Sequence, residues 1–275
     1  MYWLFRFLLH TLHFLCSFYE FVRQQCALLI WSLEQRGYWG DVHKYSLSKF
    51  SPRLDELSRI PKHLVFLMGH EEVSVLDIAS IIGWCTTAGI PFVTFYEHKE
   101  NLQDSLGLVK KKLDELEPDV SASVEWTSSV TSVSDHSKNG MNGISPNGIH
   151  SKIIPSDLPN SIERRKTKVQ ILSYDTGKKR IVSLTRSLAY AVKFSIVQEE
   201  DITSELLEEK LTFNGKLTDP DLAIVFGKTM CTWGFSPWQA RITQFFLLPT
   251  HHNISSHIFI DTLNKFSKCQ QRHGK

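Results

Sequence analysis

The chain has 275 residues, 42% of them hydrophobic and 22% charged, the balance of a globular protein with one sizeable domain and appendages. A net charge of +2, with the basic residues scattered rather than gathered in a stripe, argues against a nucleic-acid binder. Five cysteines (Cys16, Cys26, Cys85, Cys231, Cys269) fall at no paired spacing, which argues against a disulfide framework or a zinc cluster and for reduced thiols on the cytosolic side.

The N-terminus differs in kind from the rest. Met1 to Trp31 is crowded with Phe, Leu, Trp and Tyr, interrupted by Arg6, Glu20 and Arg23. A signal peptide would need a small-residue cleavage site after the apolar run, and none follows. A transmembrane anchor of marginal length and an amphipathic helix lying in the membrane interface both fit, and both stand above an ordinary core helix. The expected organisation is therefore a membrane anchor over residues 1–36, a polar connector over 37–60, and a soluble domain over 61–275.

Within that domain His63–Met68 reads as a buried strand, and Val73–Ala88 as an amphipathic helix closed by Gly89. Pro91–Tyr96 is the next strand, rich in β-branched and aromatic residues. Leu102–Leu116 has helical periodicity and ends at Pro118. From Val120 to about Asn160 the chain is dominated by Ser, Asn, Gly and Thr, and it reads as a disordered insert with too little apolar surface to offset its ordering entropy. A strand at Lys168–Tyr174, helices at Ser183–Gln198 and Ser204–Leu211, a strand at Asp221–Phe226 and a last helix at Ser256–Gln271 complete the pattern. Strands alternating with helices predict an α/β fold with a mostly parallel central sheet. Ligands of such sheets sit beyond the carboxyl ends of the strands, so Met68–Glu72, Tyr96–Asn101 and Phe226–Phe235 share one rim.

Several stretches of this domain carry a resemblance: Asp77–Ser80 with Trp84-Cys85, Gly89-Ile90 leading to Thr94–Tyr96, Asp219–Leu222, and Gly234–Trp238 leading to Leu248-Pro249 and Asn253–Ser255. Through them the chain resembles the cis-prenyltransferase family, the undecaprenyl and dehydrodolichyl diphosphate synthases, over His63–Glu117 and Lys168–Lys275. Within it the chain is similar to the Nogo-B receptor type of accessory subunit. The resemblance implies a central parallel sheet flanked by helices.

Active members of that family place an Asp-Gly-Asn-Arg-Arg loop after the first strand, whose aspartate holds Mg²⁺ against the allylic diphosphate. Here the loop reads Met68-Gly69-His70-Glu71-Glu72, with Gly69 at the aspartate position and two carboxylates that repel a diphosphate. The later Arg-Thr-x-Gly-Glu-x-Arg signature becomes Val225, Thr229 and Cys231 at its first arginine, its Glu and its second arginine. The chain is thus expected to be inactive alone, with no metal ligand of its own.

What remains is the tail Arg272-His273-Gly274, matching the Arg-x-Gly end that the family's accessory subunits insert into the partner's active site. A guanidinium is a permanently charged planar phosphate ligand, and a glycine lets the backbone N–H approach a phosphate oxygen. Arg272 and Gly274 are therefore the expected catalytic and isopentenyl diphosphate-binding residues, acting in a catalytic cis-prenyltransferase subunit that binds Mg²⁺. The resemblance implies the endoplasmic reticulum membrane as location, membrane lipid as a contact and a domain facing the cytosol. It also implies a partner-facing surface that includes Trp233, Phe235, Trp238, Ile242, Phe245 and Phe246. A membrane receptor or adaptor with a degenerate prenyltransferase domain is the competing reading. His251-His252 lacks further ligands in the sequence and reads as structural or surface histidine, and no nucleophile elbow or nucleotide-binding loop is present.

Overall fold

The computed structural model describes residues 2–37, 54, 57–99, 101–127, 166–211 and 219–269. At its centre lies β1 (His63–Leu67), a run of apolar residues buried along its whole length. It pairs in parallel with β2 (Phe92–Glu97) on one edge and with β5 (Leu222–Phe226) on the other. β4 (Thr167–Ser173) and β3 (Val124–Thr127) extend the sheet past β2, and β6 (Gln244–Leu248) extends it past β5, giving the order β3-β4-β2-β1-β5-β6 with every pairing parallel. Parallel sheets need cover on both faces, and here the period-two alternation of the strands supplies two cores. Leu64 and Phe66 join the larger one, and Val65 and Leu67 join the smaller. Phe66 stacks between Phe95 and Phe226 at 4.9 and 5.9 Å, so one aromatic row crosses three strands on the larger side.

Helix α2 (Val75–Thr87) starts where Ser74 caps it: the hydroxyl accepts the Asp77 N–H at 3.4 Å and donates to the Asp77 carboxylate at 2.6 Å. It stops at Gly89, whose φ of +72° suits a residue without a side chain. Its buried face carries Trp84, fully enclosed and 5.9 Å from Phe259 on the last helix. Between β2 and β3 lie α3 (Asn101–Asp104), α4 (Leu106–Leu116) and α5 (Pro118–Ser121). After β4 come α6 (Lys178–Lys193) and α7 (Ser204–Leu211). The last helix, α8 (Ser256–Lys268), buries Phe259, Ile260, Leu263 and Phe266 against the larger core. Its carboxyl end is clamped to the segment that leads into β1. Arg59 lies 4.1 Å over the Phe266 ring and donates to the Phe266 and Cys269 carbonyls at 3.3 Å, while Ser58 donates to the Ser267 carbonyl at 3.2 Å.

The α/β class and the parallel sheet agree with the sequence reading, and four details differ. Residues Val120–Thr127, expected to open the disordered insert, instead finish α5 and form β3, which pairs with β4 through Val124 and Thr167. Residues 128–165, the bulk of that insert, lie outside the described residues. The helix expected at Ser183–Gln198 begins at Lys178 and ends at Lys193, where Ser195 turns the chain at φ 54°. β6 was not foreseen, because Gln244–Leu248 has no alternation. Its aromatics are half-buried against the core: Phe246 packs on the larger cluster and Phe245 on the smaller, beside the buried Phe235, while Ile242 just before the strand stands exposed. Trp238 is engaged internally through its indole N–H, 2.8 Å from the Glu208 carboxylate.

N-terminal to the domain, α1 (Tyr2–Gly37) is one 36-residue helix, and every one of its side chains that is described is exposed. Among the described residues no helix is long and apolar enough to cross a membrane. Most of the expected connector, residues 38–53, lies outside the described residues.

Trp84→Ala is expected to cost about 3–5 kcal/mol, the range for emptying a buried aromatic site, measured by urea denaturation. Two glycine substitutions separate close packing from helix propensity. A methyl at Gly177 would collide with the Gly234 carbonyl, whereas one at Gly107, in the first turn of α4, meets open space. Gly177→Ala should lose about 1–3 kcal/mol, and Gly107→Ala should gain about 0.5–1 kcal/mol in the same assay.

Candidate functional site

Because all six strands run the same way, the loops after β1, β2, β4, β5 and β6 meet at one rim, where an open α/β sheet binds ligands. The loop after β1 is held from its first residue, with the Met68 N–H donating to the Tyr96 carbonyl at 2.9 Å. At Gly69 the backbone presses on the loop after β5 so closely that a Cβ would collide with the Phe226 carbonyl oxygen. The sequence position where active family members carry their aspartate therefore has no room for a side chain.

The loop after β5 folds back across the rim. Trp233 and Gly234 make the turn at φ 54° and 87°. The Tyr96 hydroxyl donates to the Trp233 carbonyl at 3.0 Å, and the Lys178 N–H donates to the Gly234 carbonyl at 2.8 Å. The His70 ring meets Trp233 edge-on at 4.3 Å. Burial raises the Tyr96 phenol well above its ordinary range, with Tyr174 adding to the rise, so it stays a neutral donor. Of the positions matching the family's second signature, Val225 is buried in the smaller core and Thr229 is exposed. Cys231 serves the turn itself, accepting the Trp233 N–H at its sulfur at 3.4 Å. None of the three presents a cation to the rim. Glu97, at the end of β2, is buried and accepts the Leu102 N–H at 2.5 Å. Desolvation raises its pKa above the ordinary carboxylate value, partly offset by that bond and by Lys99.

On the β6 side, Glu71 is fixed by residues nearly two hundred positions away. The Thr250 hydroxyl donates to Glu71 Oε2 at 2.7 Å, and His251 Nδ1 lies 3.2 Å from the same oxygen. The latter is an electrostatic contact rather than an aligned hydrogen bond. Burial works to raise the Glu71 pKa, but His251, Thr250 and the charge of His252 outweigh it and hold the carboxyl below its usual value. The fully buried His251 is itself oriented by the Ser74 N–H, which donates to Nε2 at 3.1 Å. Sequence reasoning left His251-His252 without a partner, since nothing in the chain ties them to Glu71.

Glu71, His251 and His252 bring three possible ligand atoms within 4.8 Å of one another, so a metal has to be considered. A backbone N–H pointing at Nε2 makes that nitrogen the acceptor and leaves the imidazole proton on Nδ1, facing Glu71. Coordination at Nδ1 would need that last proton removed as well, and His252 with Glu71 alone falls short of a zinc set. Mg²⁺ prefers oxygen ligands, and Gly69 has no side-chain carboxylate to offer one. The cluster is a clip joining the loop after β1, the cap of α2 and the loop after β6. The other expected site residues, Arg272 and Gly274, lie outside the described residues.

No family model matches the chain. Among curated proteins it is 30% identical over 221 residues to the human dehydrodolichyl diphosphate synthase complex subunit NUS1, covering 80% of this chain and 68% of that protein. It is 29% identical over 228 residues to the mouse subunit of the same name, covering 80% and 67%. Its fold is similar to that of lavandulyl diphosphate synthase from Lavandula x intermedia, solved with dimethylallyl diphosphate, with a TM-score of 0.53 over 78% of this chain and 98% of that one at 18% identity. With its parallel sheet, its closed rim and this degree of identity, the chain belongs to the family of NUS1 subunits of the dehydrodolichyl diphosphate synthase complex.

Proposed function

We propose that this chain is the non-catalytic half of a two-subunit cis-prenyltransferase that condenses isopentenyl diphosphate onto farnesyl diphosphate, making the polyprenyl diphosphate precursor of dolichol for protein glycosylation. The observation that carries this reading is the contact at Gly69. The family's metal-binding aspartate is absent there, and the Phe226 carbonyl occupies the space its side chain would need. Glu71, held charged by its contacts with His251 and Thr250, adds a fixed negative charge beside that position.

The partner subunit provides the tunnel and binds Mg²⁺, which neutralises charge on the departing diphosphate. This chain contributes positioning. The Arg272 guanidinium and the Gly274 N–H hold the diphosphate of isopentenyl diphosphate in the partner's site, lowering the entropic cost of aligning the two substrates. Residues 1–36 attach the complex to the endoplasmic reticulum membrane, residues 37–60 connect them to the domain, and the domain faces the cytosol. The catalytic subunit docks on α6, whose apolar residues are left exposed among the described residues. None of its residues is buried, and Val182, Tyr190, Phe194 and Ile196 stand exposed along it and just past its end.

Polyprenyl diphosphate synthesis from farnesyl and isopentenyl diphosphates with Mg²⁺ tests the assignment. This chain alone should be inactive, and the pair should exceed the partner alone. Arg272→Ala should lower turnover of the pair by about 10²-fold. A stimulated complex indifferent to that change would make the chain an anchor or adaptor, and synthesis by the chain alone would overturn the reading of its lost motifs. Gly69→Asp should create no activity. Both it and Gly69→Ala should destabilise the fold by at least about 1–3 kcal/mol, because the collision begins at the Cβ.

A further inference from the structure

The first six turns of α1 carry two unlike surfaces. Arg6, His10, His13, Ser17 and Glu20 recur at alternating steps of four and three. At about 100° per residue these five fall within an arc of roughly 80°. The large apolar side chains between Trp3 and Val22 take up about two thirds of the circumference. Trp3 is 81% exposed and Phe5 72%, and among the described residues no other element covers them. The single polar residue inside the apolar arc, Thr11, gives its hydroxyl proton to the Phe7 carbonyl at 2.6 Å and so adds no unmet donor there.

We propose that α1 lies along the lipid–water interface of a membrane, its Arg6–His10–His13–Ser17–Glu20 stripe toward water and its broad aromatic arc in the acyl layer. This rests on the membrane attachment proposed above and assigns its geometry. Residues Tyr2–Val22 measure about 30 Å as a helix, the depth of a bilayer's hydrocarbon. Were they to cross, the stripe would run through the hydrocarbon from end to end, with the polar His10, His13 and Ser17 around its middle and Arg6 and Glu20 toward its two ends. Lying flat avoids that burial and leaves every stripe residue hydrated. Charge also fits. Glu20 is neutralised by Arg23 at 2.8 Å, while among the described residues Arg6 has no carboxylate partner, so the stripe presents net positive charge to headgroup phosphates. An apolar arc this wide exceeds what a groove on a folded partner encloses, whereas lipid tails surround it without gaps. Tyr2, Trp3 and Tyr19 have the amphipathic rings that settle at this level.

The test uses the full chain with vesicles of phosphatidylcholine and a minority of phosphatidylserine. Nitroxide labels are placed one at a time on cysteines replacing Leu8, Leu12 and Leu15 on the arc and His10 and Ser17 on the stripe, with Cys16, Cys26, Cys231 and Cys269 changed to serine. Depth is read from collision with oxygen against a water-soluble nickel chelate. The expected result is a common depth of about 5–10 Å for the three arc sites and chelate access at both stripe sites. A depth that rises to the bilayer centre and falls again along the helix, whichever face carries the label, would overturn the interfacial geometry while leaving attachment intact. Failure of the chain to float with the vesicles would overturn both. Neither outcome bears on the synthesis assay, which reads the tail.

Discussion

β1 is hydrogen-bonded along both edges and buried on both faces, and the rest of the molecule follows from that position. A strand with no solvent-facing side must be apolar throughout, so its neighbours have to supply a core above and below it. Its parallel partners need crossovers, which brings the helices onto the faces and sends each loop after a strand to the same rim. The backbone ladder sets how close β1 and β5 come, and the row of Phe95, Phe66 and Phe226 packs across it on the larger side. The tight meeting of Gly69 with the Phe226 carbonyl is the end of that row expressed in backbone.

A rim so closed has lost more than reactive groups. In an enzyme site, polar atoms are held unpaired against the arrival of substrate. Here the rim's own side chains use them: Tyr96 on Trp233, Thr250 on Glu71, Cys231 on its own turn, and a backbone amide on His251. Spending these groups internally stabilises the scaffold and takes them out of reach of a ligand.

Most of this architecture was legible in the sequence because it is written in local patterns. The apolar run of the first strand at Leu64–Leu67 and Gly89 closing the first helix of the domain each announce themselves within a few residues. The loss of the aspartate and arginines was equally legible, being a matter of identity at matched positions. What escaped was set by distance. β3 and β6 are edge strands whose pairing partners decide their state, and Gln244–Leu248 has no alternation to betray it. Nothing local announces that Phe245 and Phe246 pack beside β5. The Glu71–His251 contact spans the sheet, and the steric block at Gly69 depends on a carbonyl more than 150 positions away. Neither can be read from composition or spacing.

The clamp of Arg59 and Ser58 on the end of α8 has a consequence for reach. α8 runs back from the rim, so Phe266 and Cys269 sit beside the entry to β1, at the opposite edge of the sheet. A five-residue strand separates that edge from the rim by about 17 Å. The last described residues of the chain are thereby held about a strand's length from the rim, away from the loops that gather there.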